Sequence, residues 1–114
     1  MPLLTISTNI PLDNQAAQAL CLKSSSHVAS LLGKPESYVM VSLQANLAMS
    51  FAGDATPCAS VQLKSLGLPG RQTTEFSASL CDFLHQQTGI PTARIYIEFS
   101  DPERQMWGWD RRTF

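Results

Sequence analysis

Charge is scarce in this chain. Of its 114 residues only 15% are Asp, Glu, Lys or Arg, against about a quarter in an ordinary soluble domain. Eight basic and nine acidic residues leave a formal net charge of −1, so no field gathers phosphate backbones or an anionic membrane surface. Neither nucleic acid nor membrane is expected as a partner. Long apolar runs are missing too: no stretch approaches the roughly 20 residues that span a bilayer. The start, Met1-Pro2-Leu3-Leu4-Thr5, carries no basic segment of a secretory leader. The expectation is a cytoplasmic protein, with leaderless secretion as its route out of the cell if it leaves. Cysteine is sparse, and Cys21, Cys58 and Cys81 form an odd trio without CxxC spacing, which argues against a disulfide scaffold or a zinc ribbon. Disorder is disfavoured as well, because the 44% of apolar residues can bury enough surface to offset chain entropy.

What is present reads as one domain over residues 1–114, a length that builds one core and not two. Leu4 and Ile6 alternate with Thr5 and Ser7, so a strand begins near Pro2 and ends before Asn9-Ile10-Pro11. From Asp13, an N-cap, Ala16, Leu20, Val28, Leu31 and Leu32 recur at helical spacing until Gly33 and Pro35 stop the run. Val39, Val41 and Leu43 then alternate with Met40, Ser42 and Gln44 as a second strand.

The second half repeats this grammar. Val61 and Leu63 mark a strand, Phe76, Leu80, Phe83 and Leu84 a helix ending at Gly89, and Ile95, Ile97 and Phe99 a last strand. Placing Gly33-Lys34-Pro35 on Gly89-Ile90-Pro91 aligns Val39 with Ile95, Val41 with Ile97 and Leu43 with Phe99. The prediction is an α+β fold in which two βαβ repeats form a four-stranded sheet with two helices on one face, the ferredoxin-like arrangement. Its other face would carry Thr5, Ser7, Ser42, Gln44, Gln62, Lys64, Tyr96 and Glu98, polar but short of charge for bare solvent. A closed ring of subunits turning these faces to a shared axis would cover them.

Pro2 is the first candidate for chemistry. Initiator Met before Pro is usually removed, which leaves a secondary amine as the chain terminus. An α-amino group titrates nearer neutrality than Lys, and burial or a neighbouring cation lowers its pKa further, which suits a general base. The plain alternative is a rigid strand start. Lys34 likewise reads either as a ligand-binding cation or as a favourable charge at a helix C-terminus. His27 and His85 have no acidic or Cys partners at ligand spacing, so no metal is assigned.

Pro2, Thr8-Asn9-Ile10-Pro11, Gly33-Lys34-Pro35, Pro57-Cys58-Ala59, Ser65-Leu66-Gly67, Arg94-Ile95-Tyr96-Ile97, Gly108-Trp109 and Thr113-Phe114 resemble, in order and spacing, the macrophage migration inhibitory factor and D-dopachrome tautomerase family. The resemblance runs from end to end. It implies a homotrimer of ferredoxin-like tautomerase fold, needing no cofactor, with a keto–enol tautomerase site at each subunit interface. By resemblance, Pro2 is the catalytic base, and Lys34 holds the substrate carboxylate or carbonyl oxygen. The Leu66 backbone N–H donates to the carboxylate, while Tyr96 and Glu98 enter from the adjacent subunit. Leu3, Tyr38, Trp107, Trp109 and Phe114 form a rim for a small aromatic keto or enol acid such as phenylpyruvate.

Four departures qualify the resemblance. Glu98 stands where cytokine-type members have Asn, and ionised Glu cannot donate to a substrate hydroxyl. Trp107 replaces a small aliphatic residue of the family, which should narrow or cover the pocket and alter the size of substrate it selects. Val61 occupies the second position of the family's CxxC after Cys58, so thiol–disulfide exchange is not expected. Leu12 and Asn46 stand where animal members carry the Arg and Asp of a receptor motif. These last two count against the alternative function, a non-enzymatic, cytokine-like secreted protein that signals or modulates a host.

Overall fold

Strict alternation of buried and half-buried residues marks β1 (Pro2–Thr8), a central strand of the sheet. The computed structural model describes all of residues 1–114. After β1 the chain forms α1 (Asn14–Leu32), β2 (Met40–Gln44), β3 (Ala59–Ser65), α2 (Thr73–Thr88) and β4 (Ile95–Ser100). The caps fall where the sequence puts them. Ala16 N–H donates to Asp13 Oδ1 at 2.7 Å, a contact typically worth about 1 kcal/mol. Gly33 ends α1 in the left-handed conformation (φ 63°), which L side chains adopt at a cost, and so turns the chain sharply at Lys34.

The four strands lie in the order β2-β1-β3-β4. β1 runs parallel to β2 and antiparallel to β3, and β3 runs parallel to β4, so the sheet is mixed. Its covered face carries Leu4, Ile6, Val61 and Leu63, which pack with Val28 of α1 and with Phe76, Leu80 and Leu84 of α2 in one core. The two βαβ repeats are therefore present, and both helices share that face. The repeat extends to detail: a one-turn 3-10 segment precedes the last strand of each half, Glu36–Tyr38 before β2 and Thr92–Arg94 before β4. No helix is long and apolar enough to cross a membrane.

On the opposite face the register sets Ser42, Thr5, Gln62 and Glu98 in one row, and Gln44, Ser7, Ser60 and Tyr96 in the next. This is the weakly charged polar face anticipated above, and Tyr96 on it is 69% exposed.

One element has no counterpart in the sequence reading. Residues 108–113 form a hairpin, β5 (Gly108–Trp109) with β6 (Arg112–Thr113), turning through Asp110 (φ 49°) and Arg111 (φ 67°). Such a turn needs positive φ at both central positions, which Asn-Gly or Asp-Gly normally supplies. Here Arg111 sits in the second of them.

His27 joins the helices. Its ring stacks on Phe83 at 4.3 Å between centroids, and its Nε2 shares a hydrogen bond with Ser79 Oγ at 3.1 Å. Burial disfavours the imidazolium and holds its pKa below the ordinary value of 6.5. Because the unfolded chain binds that proton more readily, the contribution is full above about pH 6.5 and shrinks as pH falls through the folded-state pKa. The urea midpoint should drop between pH 7 and 5, and His27→Gln should flatten that part of the curve. An unchanged pH slope in the variant would remove His27 from the account.

Candidate active site

Pro2 opens β1 with its side chain fully buried, beside a cavity of about 380 Å³ lined by Met1, Leu3, Tyr38, Val39, Met40, Trp107 and Trp109 among others. The residues come from four places: the start of the central strand, the 3-10 turn after α1, the head of β2, and the C-terminal hairpin. A second cavity of about 350 Å³ shares Met1, Tyr38 and Trp109 with it and adds Lys34, Leu66, Arg104, Arg112 and Phe114. Together they bring Pro2, Leu3, Lys34, Tyr38, Leu66, Trp107, Trp109 and Phe114 to one end of the sheet.

Lys34 is anchored there. Its Nζ donates to the Leu66 carbonyl at 2.7 Å, which spans the two repeats and leaves further ammonium protons for a ligand. The loop after β3 is held from its other side by Gly67 N–H, which donates to Asp101 Oδ1 at 2.9 Å. The aromatic wall is ordered by stacking: Phe114 lies nearly parallel to Trp109 at 5.8 Å, and Tyr38 meets Trp109 edge-on at 6.3 Å. Phe114 N–H also donates to the Trp107 carbonyl at 3.2 Å, which ties the chain end to the hairpin.

With Met1 attached, the Pro2 nitrogen is an amide and the terminal amine belongs to Met1. Burial pushes that amine below the ordinary α-amino value of 8.0, and the charges of Lys34 and Arg104 push it the same way. A terminal amine at this end of the sheet is thus made less basic than usual.

Tyr96 and Glu98 are not part of this constellation within one chain. Both lie on β4, with β3 between them and β1. Tyr96 packs edge-on against Phe51 at 4.8 Å, in a region ordered by Arg94, which donates to the carbonyls of Phe51, Asp54, Thr56 and Pro57.

Sequence reading missed Arg104, Arg112 and Ser65. Ser65 is the register partner of Pro2, and its hydroxyl is fully buried without a hydrogen-bond partner. In the alternating pattern of β3 a Ser on the core face was the available signal. Arg104 and Arg112 have no periodic pattern to announce them. No three His, Cys, Asp or Glu side chains come together as metal ligands.

Fold and cavities together define an α+β protein of two βαβ repeats with two cavities at the end of the sheet where Pro2 opens β1. The model of the macrophage migration inhibitory factor family matches residues 1–114, and the chain belongs to that family. It is 42% identical over 115 residues to a macrophage migration inhibitory factor homolog of Brugia malayi, covering 100% of this chain and 99% of the relative. A solved homologue from Prochlorococcus marinus superposes with a TM-score of 0.91 at 43% identity, over 98% of both chains. The structure of the factor from Trichinella spiralis gives 0.90 at 32% identity, over 98% of this chain and 99% of that one.

Proposed function

We propose that this protein, a single domain over residues 1–114, is a cofactor-free keto–enol tautomerase of the phenylpyruvate type, working as a homotrimer with the Pro2 amine as general base. The observation that carries the reading is the environment at the head of β1: a buried proline, a terminal amine with depressed basicity, and Lys34 within the adjoining cavity. Once Met1 is removed, the free Pro2 nitrogen takes a proton from the carbon beside the substrate carbonyl. Lys34 stabilises the oxygen as it gains negative charge, and the proton is returned to oxygen to give the enol, or in reverse to carbon. The aromatic ring packs against Leu3, Trp107 and Trp109, and the Leu66 N–H receives the carboxylate.

Two considerations support the trimer. The polar sheet face is too poor in charge for open water, and Tyr96 and Glu98 meet the site only if supplied by a neighbour. Met1-free protein should convert enol phenylpyruvate to the keto form and sediment at three times the chain mass. A stable monomer at micromolar concentration would sink the composite site.

Glu98 then sets a preference. Its carboxylate cannot donate to a ring hydroxyl, whereas Gln can. Glu98→Gln should shift the ratio of kcat/KM for 4-hydroxyphenylpyruvate over phenylpyruvate upward by about threefold to tenfold, the worth of one hydrogen bond. No change in that ratio would place Glu98 away from the substrate.

A further inference from the structure

Only eight residues of this chain are basic, yet Lys34, Arg104 and Arg112 line one cavity of about 350 Å³ to which no Asp or Glu contributes. Two of the neighbouring carboxylates face other donors: Asp101 accepts from Gly67 N–H at 2.9 Å, and Glu103 from Gln105 Nε2 at 2.5 Å. Arg104 and Arg112 are exposed and Lys34 half-buried, so water screens their repulsion in part, and three like charges around one hollow favour an anion there. A single substrate carboxylate is already answered by Lys34 and the Leu66 N–H, so the two guanidinium groups are in excess of what phenylpyruvate needs.

Their setting suits a second anion. Arg112 lies over the Trp109 ring at 4.8 Å, and a guanidinium stacked this way keeps its in-plane N–H donors free for a bidentate acceptor. Arg104 stands at the start of the one-turn segment Arg104–Met106 that leads into the hairpin. Its charge reaches the terminal amine, so it acts at the same place as the base. Met1, Tyr38 and Trp109 also line the apolar cavity beside Pro2. The site therefore has a cationic end and an aromatic end, joined at these two rings.

We infer that the site selects doubly anionic substrates, 2-oxo acids carrying a second carboxylate, with Arg104 and Arg112 binding the second group while Lys34 holds the first. This rests on the tautomerase reading for the word substrate, but the subsite is tested by binding alone. Hydrocinnamate and benzylmalonate differ by one carboxylate, and quenching of Trp107 and Trp109 fluorescence reports both. Benzylmalonate should bind at least tenfold more tightly to the native protein at low salt. The preference should fall as ionic strength rises. Arg104→Gln should reduce the ratio of the two dissociation constants to within threefold, Arg104→Lys should retain most of it, and Lys23→Gln, on the exposed side of α1, should leave it unchanged.

A native ratio near one, or a ratio untouched by Arg104→Gln, overturns the inference. The two readings fail separately. Protein that turns over phenylpyruvate without preferring benzylmalonate loses the subsite and keeps the base. Met1-free protein that prefers benzylmalonate but converts no enol loses the base and keeps the subsite.

Discussion

Pro2→Ala is expected to lower kcat/KM for phenylpyruvate tautomerisation by about 10²–10⁴-fold, the usual worth of a positioned general base. The loss would come from replacing a secondary ring amine, fixed by the strand and buried at its head, with a primary amine free to rotate. Retention of Met1 should be more severe, because an amide nitrogen has no available lone pair at neutral pH. The two forms differ in intact mass, so each preparation can be assigned before its rate is measured. In the Met1-free protein the acid limb of the pH–rate profile should report the amine and fall below the ordinary α-amino value. Desolvation, Lys34 and Arg104 all act in that direction on the terminus. Full activity in either altered form would remove Pro2 from the mechanism.

Lys34→Ala should lower kcat/KM by about 10²–10³-fold, in the range seen when one preorganised donor to a developing oxyanion is removed. It should also move the acid limb to higher pH. The ammonium raises the free energy of a second positive charge at the terminus, so its removal makes the amine more basic and a larger fraction protonated at a given pH. The two effects distinguish an electrostatic role from a structural one, since loss of the bond to the Leu66 carbonyl would perturb the loop without moving a titration. Lys34→Arg keeps the charge and should hold the limb near its native position. A variant with both its rate and its limb intact would return Lys34 to the role of a helix-end charge.

The elements were legible because their signals are local. Leu4, Ile6, Val61 and Leu63 alternate with polar neighbours, so the covered face of the sheet is written at period two. Asp13 and Gly33 end α1 by capping chemistry that needs no distant partner. The end-to-end motif order led to Pro2, Lys34 and Leu66, which the fold gathers at one end of the sheet. Arg104 and Arg112 were not legible, because what distinguishes them is what lies across space from them, whereas Ser65 had a signal in its place on the core face of β3. An isolated Arg in a polar segment has the same sequence signature on any surface. The hairpin was missed for a different reason: Asp110-Arg111 lacks the glycine that makes such turns recognisable, and tertiary packing of Trp109 and Phe114 holds the backbone there instead. Tyr96 and Glu98 belong to a third case, since no reading of one chain places them near Pro2.

The internal repeat carries one more meaning when its two halves are laid over each other. With Gly33 on Gly89, Pro2 falls on Cys58, Lys34 on Ile90 and Leu66 on Ile10. Each counterpart is buried apolar packing. The far end of the pseudo-dyad has been filled, and Asn9, whose side chain grips the carbonyls of Ala55 and Thr56 and the N–H of Cys58, staples it shut. The two poles of the repeat therefore differ in kind: the one at Pro2 is hollow, and the one at Cys58 is packed.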